Sequence, residues 1–213
     1  MDFQNKYVTD VYNEIAPHFN NTRSYLWKDI KEFMQNLTTR SFALEIGCGN
    51  GKNLLFRKDV ISIGIDITEN LLTICKDKGV EVLLGNCIKL PFKTNCFTDT
   101  ISVAVIHHLP TNIERETALK EQIRVTKSGG RCFLQVWGDV DIKKEGKYIP
   151  LKNGEKGDYL VKWTQLNGKS HLRFYHLFTE KEFLQLLSSQ KNKITNLKIN
   201  YQFENWIATF NIL

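Results

Sequence analysis

The sequence predicts an α/β fold in which a mostly parallel sheet carries helices on both faces. Between residues 42 and 137, apolar segments typical of strands alternate with amphipathic segments typical of helices. The strand segments are apolar almost throughout, as parallel strands covered on both faces usually are. A glycine-rich turn (Gly47, Gly49, Gly51) directly follows the first of them, and doubly wound sheets bind ligands at such turns.

Residues 1–40 are expected to form an N-terminal helical segment. Apolar residues recur there at helical spacing, namely Val8, Val11, Tyr12 and Ile15. Pro17 is expected to end this helix, because proline lacks the N–H group that a helix interior needs. A second amphipathic stretch follows over residues 27–37.

Residues 41–138 are expected to form the core of the sheet. Strands are predicted at 42–46, 61–66, 80–84, 100–106 and 131–137. One helix is predicted over 69–78, with Gly79 as its C-terminal cap. Another should begin at the capping box of Thr111 and Glu114.

Residues 174–213 are expected to complete a seven-stranded sheet. Thr179 and Glu182 form a second capping box, which should begin a helix that runs to about Leu187. Residues 197–210 then read as one or two strands, which we expect to pair antiparallel at the edge of the sheet.

Size and composition limit the possible classes of protein. The chain has 213 residues, of which 42% are hydrophobic, and this suits one well-cored domain with appendages. No apolar run is long enough to span a membrane, and the N-terminus lacks the pattern of a secretory signal. Five scattered cysteines without a CxxC pair indicate reduced thiols in a cytoplasmic or also nuclear protein without a metal site.

The charge distribution points to a polyanionic partner. The net charge of +6 is mild, and solubility alone would explain it. Residues 139–173, however, hold eight basic and five acidic residues with little periodicity. We expect this segment to be a surface loop or a set of short strands that faces a polyanion.

The glycine spacing distinguishes between two classes of cofactor. In a dinucleotide fingerprint the third glycine stands three residues after the second, whereas here Gly51 stands two after Gly49. Glu45 precedes the first glycine by two residues, and a carboxylate there favours a ligand with a cationic end over a diphosphate. Asp66 ends the second strand, where a carboxylate can hold a ribose diol.

Together these residues resemble the S-adenosylmethionine site of class I methyltransferases. The resemblance implies that Glu45 and the glycine loop hold the methionyl portion, that Asp66 holds the ribose, and that Asn86 meets the adenine edge between Ile67 and Ile88. The family usually has aspartate where Asn86 stands, but an amide oxygen also accepts hydrogen bonds. The implied cofactor-binding residues are Glu45, Gly47, Cys48, Gly49, Asn50, Gly51, Asp66, Ile67, Asn86, Cys87, Ile88, Val103 and Ala104.

The segment after the fourth strand limits which chemical groups can be the methyl acceptor. It reads SVAVIHHL (102–109) and lacks the Asn/Asp-Pro-Pro-aromatic motif that holds an exocyclic amino group. No Pro-Cys pair is present for a covalent attack on a pyrimidine ring. The acceptor is therefore an oxygen, carboxylate or sulfur nucleophile. His107 and His108 are candidate general bases, and the alternative is that one of them, more readily His108, packs beneath the loop.

Segments outside the cofactor core resemble the tRNA wobble-uridine carboxymethyl methyltransferases. They are VYNEIAPHF followed by TR, SVAVIHHLPTNIER, LRFYHLF and ENW, and the likeness covers nearly the whole chain. That family esterifies 5-carboxymethyluridine at the first anticodon position, position 34, to 5-methoxycarbonylmethyluridine. The resemblance implies that Tyr12, His18, Arg23, Arg173 and His176 line the substrate side, and that residues 139–173 face the tRNA.

The chemistry of this reaction suits the residues present. A carboxylate is already an anion at neutral pH, so the enzyme needs no strong general base. Arg23 or Arg173 would orient it through one oxygen. Tyr12, Phe19 and Tyr175 would stack on the uracil, and the alternative for Phe19 and Tyr175 is packing in the core.

A protein partner is also expected. In this fold the third strand normally lies at the sheet edge, so residues 80–84 would expose Val80, Val82 and unpaired backbone groups. The resembling family covers this edge with a small zinc-binding activator protein, which implies a heterodimer joined by an added strand. The alternative is that a loop or helix of the same chain covers it.

Two other functions remain open at the level of sequence. One is a small-molecule O- or C-methyltransferase of the kind that acts on quinone precursors, which shares the paired histidines and the LPF segment. The other is a non-catalytic tRNA-binding subunit. The intact Glu45, Asp66 and glycine turn argue against a non-catalytic subunit, because a protein that binds no cofactor does not need these residues.

Overall fold

The computed structural model describes residues 3–139 and 147–213. Five α-helices are present in these residues: α1 (Asp10–Thr22), α2 (Lys28–Gln35), α3 (Glu69–Asp77), α4 (Asn112–Val125) and α5 (Glu180–Ser188). The strands are β1 (Phe42–Ile46), β2 (Ile61–Asp66), β3 (Val82–Leu84), β4 (Phe97–Val103), β5 (Thr126–Trp137), β6 (Tyr148–Pro150), β7 (Asp158–Thr164), β8 (Ser170–His176), β9 (Ile194–Gln202) and β10 (Asn205–Ile212).

The predicted fold class is confirmed. Seven strands form one sheet in the order β3-β2-β1-β4-β5-β10-β9. The first five are mutually parallel, whereas β10 runs antiparallel to both β5 and β9. Residues 197–210 therefore form two strands, joined by a tight turn at Phe203 and Glu204, as the sequence allowed.

Helices cover both faces of this sheet. On one face, α4 and α5 pack on alternate β5 side chains such as Cys132 and Leu134. On the other, Ile30 and Met34 of α2 pack against Phe133. Both predicted capping boxes are present at the starts of α4 and α5. The apolar strands are thus buried from both sides, which explains their composition.

The expectation that Pro17 ends the first helix is wrong. Pro17 lies inside α1, which continues to Thr22 and is preceded by a π-helical turn at Asn5–Thr9. Without a proline N–H, the carbonyl oxygen of Asn13 has no donor within the helix. The Asn70 side chain of α3 donates to that oxygen from Nδ2 at 2.9 Å, and its backbone N–H bonds Asn13 Oδ1 at 3.0 Å. A tertiary contact therefore replaces the missing helical bond.

Several strand boundaries differ from the prediction: β4 begins at Phe97 and β5 at Thr126, and two further differences have a local cause. The fourth strand ends at Val103, because Ala104 has φ +59° and a 3₁₀ turn follows at Ile106–His108. The third strand begins at Val82, because Val80 belongs to the cap of α3. Its N–H bonds Cys75 O at 3.0 Å, beyond Gly79 at φ +73°. Val80 is therefore buried rather than exposed at the edge.

The basic segment contains a second sheet. Strands β6, β7 and β8 form an antiparallel sheet over residues 148–176, and the expectation of short strands is confirmed there. Residues 140–146 lie outside the described part of the chain. The boundary proposed between residues 173 and 174 falls inside β8. This small sheet packs on α1 through a cluster that includes Trp163, Phe174 and Ile15.

Candidate active site

A cavity of about 430 Å³ lies between the two sheets. Its floor is the carboxyl edge of β1, β2 and β4 with the turns that follow them, and α1 and β8 cover it. This is the place where open α/β sheets bind ligands, because the strand ends and helix starts diverge there. The volume is in the range usual for small-molecule sites.

The glycine turn forms one wall, and its shape requires glycine. Gly47 has φ +69°, and a Cβ there would lie 2.2 Å from Val105 Cγ2. Any other residue would therefore be strained and would clash with the segment after β4. Gly51 also has a positive φ, but it faces Cys75 and Val80 and does not line the cavity.

Glu45 creates an acidic end with an unused acceptor. It is 1% exposed, and Asn53 donates to its Oε1. Its Oε2 has no hydrogen-bond partner among the described residues. Burial raises the pKa of Glu45 to about 8, against the lowering effects of Asn53 and Lys52. A cationic group placed at Oε2 would stabilise the ionised carboxylate, so the methionyl ammonium of S-adenosylmethionine fits here.

Asp66 lies beside Glu45 at the end of β2. Its Oδ2 accepts from the Gly49 N–H at 2.8 Å, and its Oδ1 accepts from the Thr68 N–H at 2.9 Å. Burial raises the pKa of Asp66, and these hydrogen bonds oppose that rise. Each oxygen keeps a second lone pair, and the carboxylate lines the cavity, so it has the capacity to hold a pair of ribose hydroxyls.

At the end of the cavity where adenine is expected to bind, the contacts of Asn86 and Ile88 differ from the prediction. Asn86 Oδ1 accepts from the Ile88 N–H at 3.1 Å, while its Nδ2 donates to Gln4 Oε1 at 3.4 Å. The amide oxygen is thus already bonded, and Gln4 from the N-terminal helix lies beside it. Ile67 lines the cavity but Ile88 does not, because Ile88 packs against the core beneath α4.

The opposite end of the cavity is basic. The Arg173 guanidinium, only 4% exposed, lies 4.6 Å from the Trp163 ring centroid and 5.0 Å from that of Tyr175. It forms no ion pair with any described carboxylate, and its Nε has no partner among those residues. Arg23 lies on the same tryptophan at 4.9 Å. A buried, unpaired guanidinium is costly, so this end suits an anion.

Tyr12 connects Arg173 to His108. Arg173 Nη1 donates to the Tyr12 hydroxyl at 3.0 Å, and that oxygen lies 3.0 Å from His108 Nε2. His108 Nδ1 lies 2.7 Å from the Phe174 carbonyl, so Nδ1 carries the proton and Nε2 accepts from Tyr12. Burial lowers the pKa of His108 to about 3, and the imidazole is therefore neutral at physiological pH.

Three of the predicted substrate-side histidines do not line the cavity. His107 is fully buried, stacks on Tyr175 at 4.7 Å and accepts from the Trp137 N–H. His176 pairs with buried Asp158 at 2.7 Å. His18 accepts from Trp163 Nε1 at 3.0 Å, so it holds the ring on which both arginines lie. Of the two candidate bases, His108 lines the cavity and is also hydrogen-bonded to Phe174 and Tyr12, whereas His107 is fully buried away from the cavity.

The other predicted residues meet in one place. The cavity wall includes fifteen of the predicted site residues: Tyr12, Arg23, Glu45, Gly47, Cys48, Gly49, Asn50, Asp66, Ile67, Asn86, Cys87, Val103, Ala104, His108 and Arg173.

Sequence reasoning missed several residues of the wall. Asn53 and Gln4 gave no signal, because neither residue belongs to a sequence motif that marks a binding site. Trp27 and Trp137 also line the cavity. Lys52 follows the glycine turn directly; its Nζ bonds the Tyr25 carbonyl at 2.9 Å and lies 5.5 Å from the Trp27 ring. Burial lowers the pKa of Lys52.

Among the described residues, no helix is long and apolar enough to cross a membrane. No group of three or more His, Cys, Asp or Glu side chains in that part of the chain is arranged to hold a metal ion.

Comparison with known proteins identifies relatives along the whole chain. Residues 44–134 match a methyltransferase domain family. A tRNA (carboxymethyluridine(34)-5-O)-methyltransferase of Arabidopsis thaliana is 38% identical over 79% of this chain, which spans 38% of that relative's length. An Encephalitozoon cuniculi protein named "putative methyltransferase" is 35% identical over 90% of both chains. A tRNA (carboxymethyluridine(34)-5-O)-methyltransferase of Schizosaccharomyces pombe is 29% identical over 97% of this chain and 96% of its own length.

Solved structures share the fold. A Pyrococcus horikoshii protein superimposes with a TM-score of 0.73 at 18% identity, covering 96% of this chain and 99% of its own. The Haloferax volcanii complex of a methyltransferase activator with a methyltransferase gives a TM-score of 0.68 at 11% identity, over 96% of this chain and 97% of the other. The Encephalitozoon relative, matched over 90% of both chains, and the methyltransferase domain match together show that the chain belongs to the methyltransferases.

Proposed function

We propose that this chain transfers the methyl group of S-adenosylmethionine to the carboxylate of 5-carboxymethyluridine at position 34 of tRNA, forming 5-methoxycarbonylmethyluridine. One observation carries the proposal. The cavity has an acidic end at Glu45 and Asp66, and a basic end at Arg23 and Arg173 that lacks a described carboxylate partner. Such a polarised cavity suits a donor with a cationic end and an acceptor that is an anion.

The acidic end holds the donor. Glu45 Oε2 takes the methionyl ammonium, Lys52 lies near enough to the same end to pair with the methionyl carboxylate, and Asp66 takes the ribose hydroxyls. Asn86 and Gln4 flank the adenine position. When bound, S-adenosylmethionine supplies a methyl group already activated by its sulfonium.

The basic end orients the acceptor. Arg173 donates one N–H to the Tyr12 hydroxyl. Its unpartnered Nε and its remaining donors are available for a carboxylate oxygen. The free oxygen then points toward the donor. Neutral His108 and Tyr12 fix the guanidinium and take no proton, since the carboxylate is ionised before it binds. Catalysis consists of in-line positioning and exclusion of water, which α1 and β8 provide by covering the cavity.

The tRNA is proposed as the source of the acceptor. The names of the Arabidopsis and fission-yeast relatives support this, and the latter matches along almost its whole length. Lys152 and Lys156 are exposed in the connection between β6 and β7, and Lys162 is exposed in β7, where an anticodon loop would approach. All five cysteines are unpaired, which supports a reducing compartment, cytoplasmic or also nuclear, for the activity.

A small activator protein is proposed to cover the free edge of β3. This strand has β2 as its single neighbour in the described sheet, and its own residues Leu83 and Leu84 are 44% and 54% exposed. The fold shared with a Haloferax methyltransferase solved with its activator supports an activator partner, and the free edge of β3 is where a strand could be added. Replacing Leu84 by Lys should abolish co-purification with the activator, whereas Leu184→Lys on α5 should not. A soluble, active, monomeric chain without any partner contradicts this proposal.

One experiment tests the reaction. The chain, with and without activator, is incubated with methyl-labelled S-adenosylmethionine and total tRNA that lacks the ester. The label should appear in 5-methoxycarbonylmethyluridine, and mild alkali should release it, because esters hydrolyse and N- or C-methyl groups do not. Label in another nucleoside, or label that survives alkali, overturns the proposed reaction. Arg173→Lys is the matched variant and should retain donor binding while losing most of the transfer.

A further inference from the structure

A second cavity of about 390 Å³ adjoins the first. The two share Trp27 and Trp137, so these two side chains form the partition between them. The second cavity lies at the same carboxyl edge of the large sheet, beside the ends of β5 and β9 and the start of β10. None of the residues assigned above to donor or acceptor binding lies in it.

Its polar lining contains two amide groups whose oxygens lack a described partner. Gln135 and Asn205 are 2% and 7% exposed, and their side-chain oxygens have no partner among the described residues. Asn205 Nδ2 donates to the Phe203 carbonyl at 2.6 Å, which fixes the orientation of the amide. The carboxylates of Asp29 and Glu204 also line the cavity. The same lining includes one ammonium group, that of Lys147, so the two carboxylates outnumber the cations and favour a ligand that brings hydrogen-bond donors.

Its apolar lining is aromatic. Trp27, Trp137, Tyr148 and Phe203 contribute to the wall. Phe203 is 81% exposed and stands at φ +49°, followed by Glu204 at φ +61°. Left-handed backbone is uncommon for a bulky residue and occurs more often at functional sites than elsewhere. The turn between β9 and β10 thus has an unfavourable backbone conformation, and it holds the exposed Phe203 ring at the mouth of the cavity.

We infer that this second cavity binds the nucleobase next to the methylated uridine, and that it selects a base with an exocyclic amino group. The inference rests on the proposed function, because it requires an RNA substrate. Aromatic walls stack a base, and acceptor oxygens bond an amino group. The shared tryptophans place the two bases in adjoining compartments, as the splayed bases of a single-stranded loop require.

The test measures coupling between the turn and the neighbouring base. Anticodon stem-loops carrying 5-carboxymethyluridine are prepared with an abasic site, or with a base analogue that lacks the amino group, at either adjacent position. With the unmodified enzyme, replacing the base at one of these two positions should lower kcat/KM about tenfold. That is the scale expected for the loss of one stacked base. In Phe203→Asn, which suits the left-handed backbone, that replacement should have almost no further effect.

Controls separate the possible failures. Leu197→Asn, a matched change at an exposed apolar residue in the middle of β9, should respond to the abasic site as the unmodified enzyme does. Glu204→Gln should reduce discrimination against the amino-lacking analogue. Equal kcat/KM on intact and abasic RNA overturns this inference and leaves the methylation proposal intact. No methylation of the intact stem-loop overturns the proposed function and this inference with it.

Discussion

Arg173 and Tyr12 meet at 3.0 Å, although 161 positions separate them in the chain. The bond joins β8 of the small sheet to α1, the two elements that cover the cavity. The Arg173 guanidinium contacts a hydroxyl and three aromatic rings, and it contacts no described carboxylate. A chain selected for stability alone would not bury such a charge. The arrangement is therefore explained by the anion it is proposed to receive.

Replacing Arg173 by Met should separate stability from activity. The apolar side chain fills a similar volume and removes the cost of a buried, unpaired charge, so the melting temperature should stay the same or rise. Methyl transfer should fall at least a hundredfold, while the affinity for S-adenosylmethionine, measured by calorimetry, should change less than about threefold. Arg115→Met is the control. Arg115 is 1% exposed and is paired with Glu155 and the Leu109 carbonyl, so its loss should destabilise the fold by about 1–3 kcal/mol. Equal melting-temperature losses in both variants contradict the proposed role.

Glu45 should make the ligand-free protein less stable as pH rises. Its pKa is raised from 4.5 to about 8, so between these values the folded state binds more protons than the unfolded state. Stability must then fall as pH increases from about 5 to about 8, by a few kcal/mol at most, and level off above the folded pKa. Melting curves at several pH values should show this slope in the unmodified protein and a flatter one in Glu45→Gln. Identical slopes would show that Glu45 is ionised without ligand.

Asp66 should be needed for donor binding. Asp66→Asn replaces one acceptor by a donor that faces the N–H of Gly49 or of Thr68, so the glycine turn should shift as well. The dissociation constant for S-adenosylmethionine should rise at least tenfold in calorimetry. Asp59→Asn is the matched control, since Asp59 pairs with Arg57 at the surface, away from the cavity. Unchanged affinity in Asp66→Asn would overturn the placement of the ribose.

The rate of methyl transfer should not follow a histidine titration. Burial lowers the pKa of His108 to about 3 and that of His107 well below its usual value, so both are neutral near physiological pH. A carboxylate acceptor is also ionised near that pH. Single-turnover rates should therefore be flat between about pH 6 and 8. A rising limb near pH 6.5 that disappears in His108→Asn would show instead that His108 acts as a base.

Much of the fold follows from local patterns, whereas the exceptions depend on distant partners. Apolar runs identified the strands because burial on both faces requires such runs. Pro17 was misread because the acceptor it frees, the Asn13 carbonyl, bonds Asn70, which lies far along the chain. Val80 was misread because its N–H bonds within the cap of α3 and its side chain is buried there. The spacing of the two histidines did not reveal that His108 faces the cavity.

The acidic half of the site was more accessible to sequence reasoning than the basic half. Glu45, the glycines and Asp66 lie at the ends of consecutive parallel strands, so chain order already places them together. Arg173 comes from the second sheet, and only resemblance to a family suggested it. No local pattern predicts that β8 covers the cavity or that both arginines lie within 5 Å of the Trp163 ring.

The basic segment should provide a salt-dependent part of tRNA binding. We expect replacement of Lys143, Lys144, Lys147 and Lys152 by Ala to weaken tRNA binding and to flatten its dependence on salt, by about 0.7 in log–log slope for each phosphate that the variant no longer neutralises. Lys143 and Lys144 lie outside the described residues, and Lys152 is exposed in the connection between β6 and β7. Lys191 and Lys193, exposed near the opposite, amino end of β9, provide the control pair. Binding is measured by fluorescence anisotropy from low to physiological salt. An unchanged slope in the quadruple variant would mean that this segment is solvated surface, and the tRNA would then have to approach the cavity over α1.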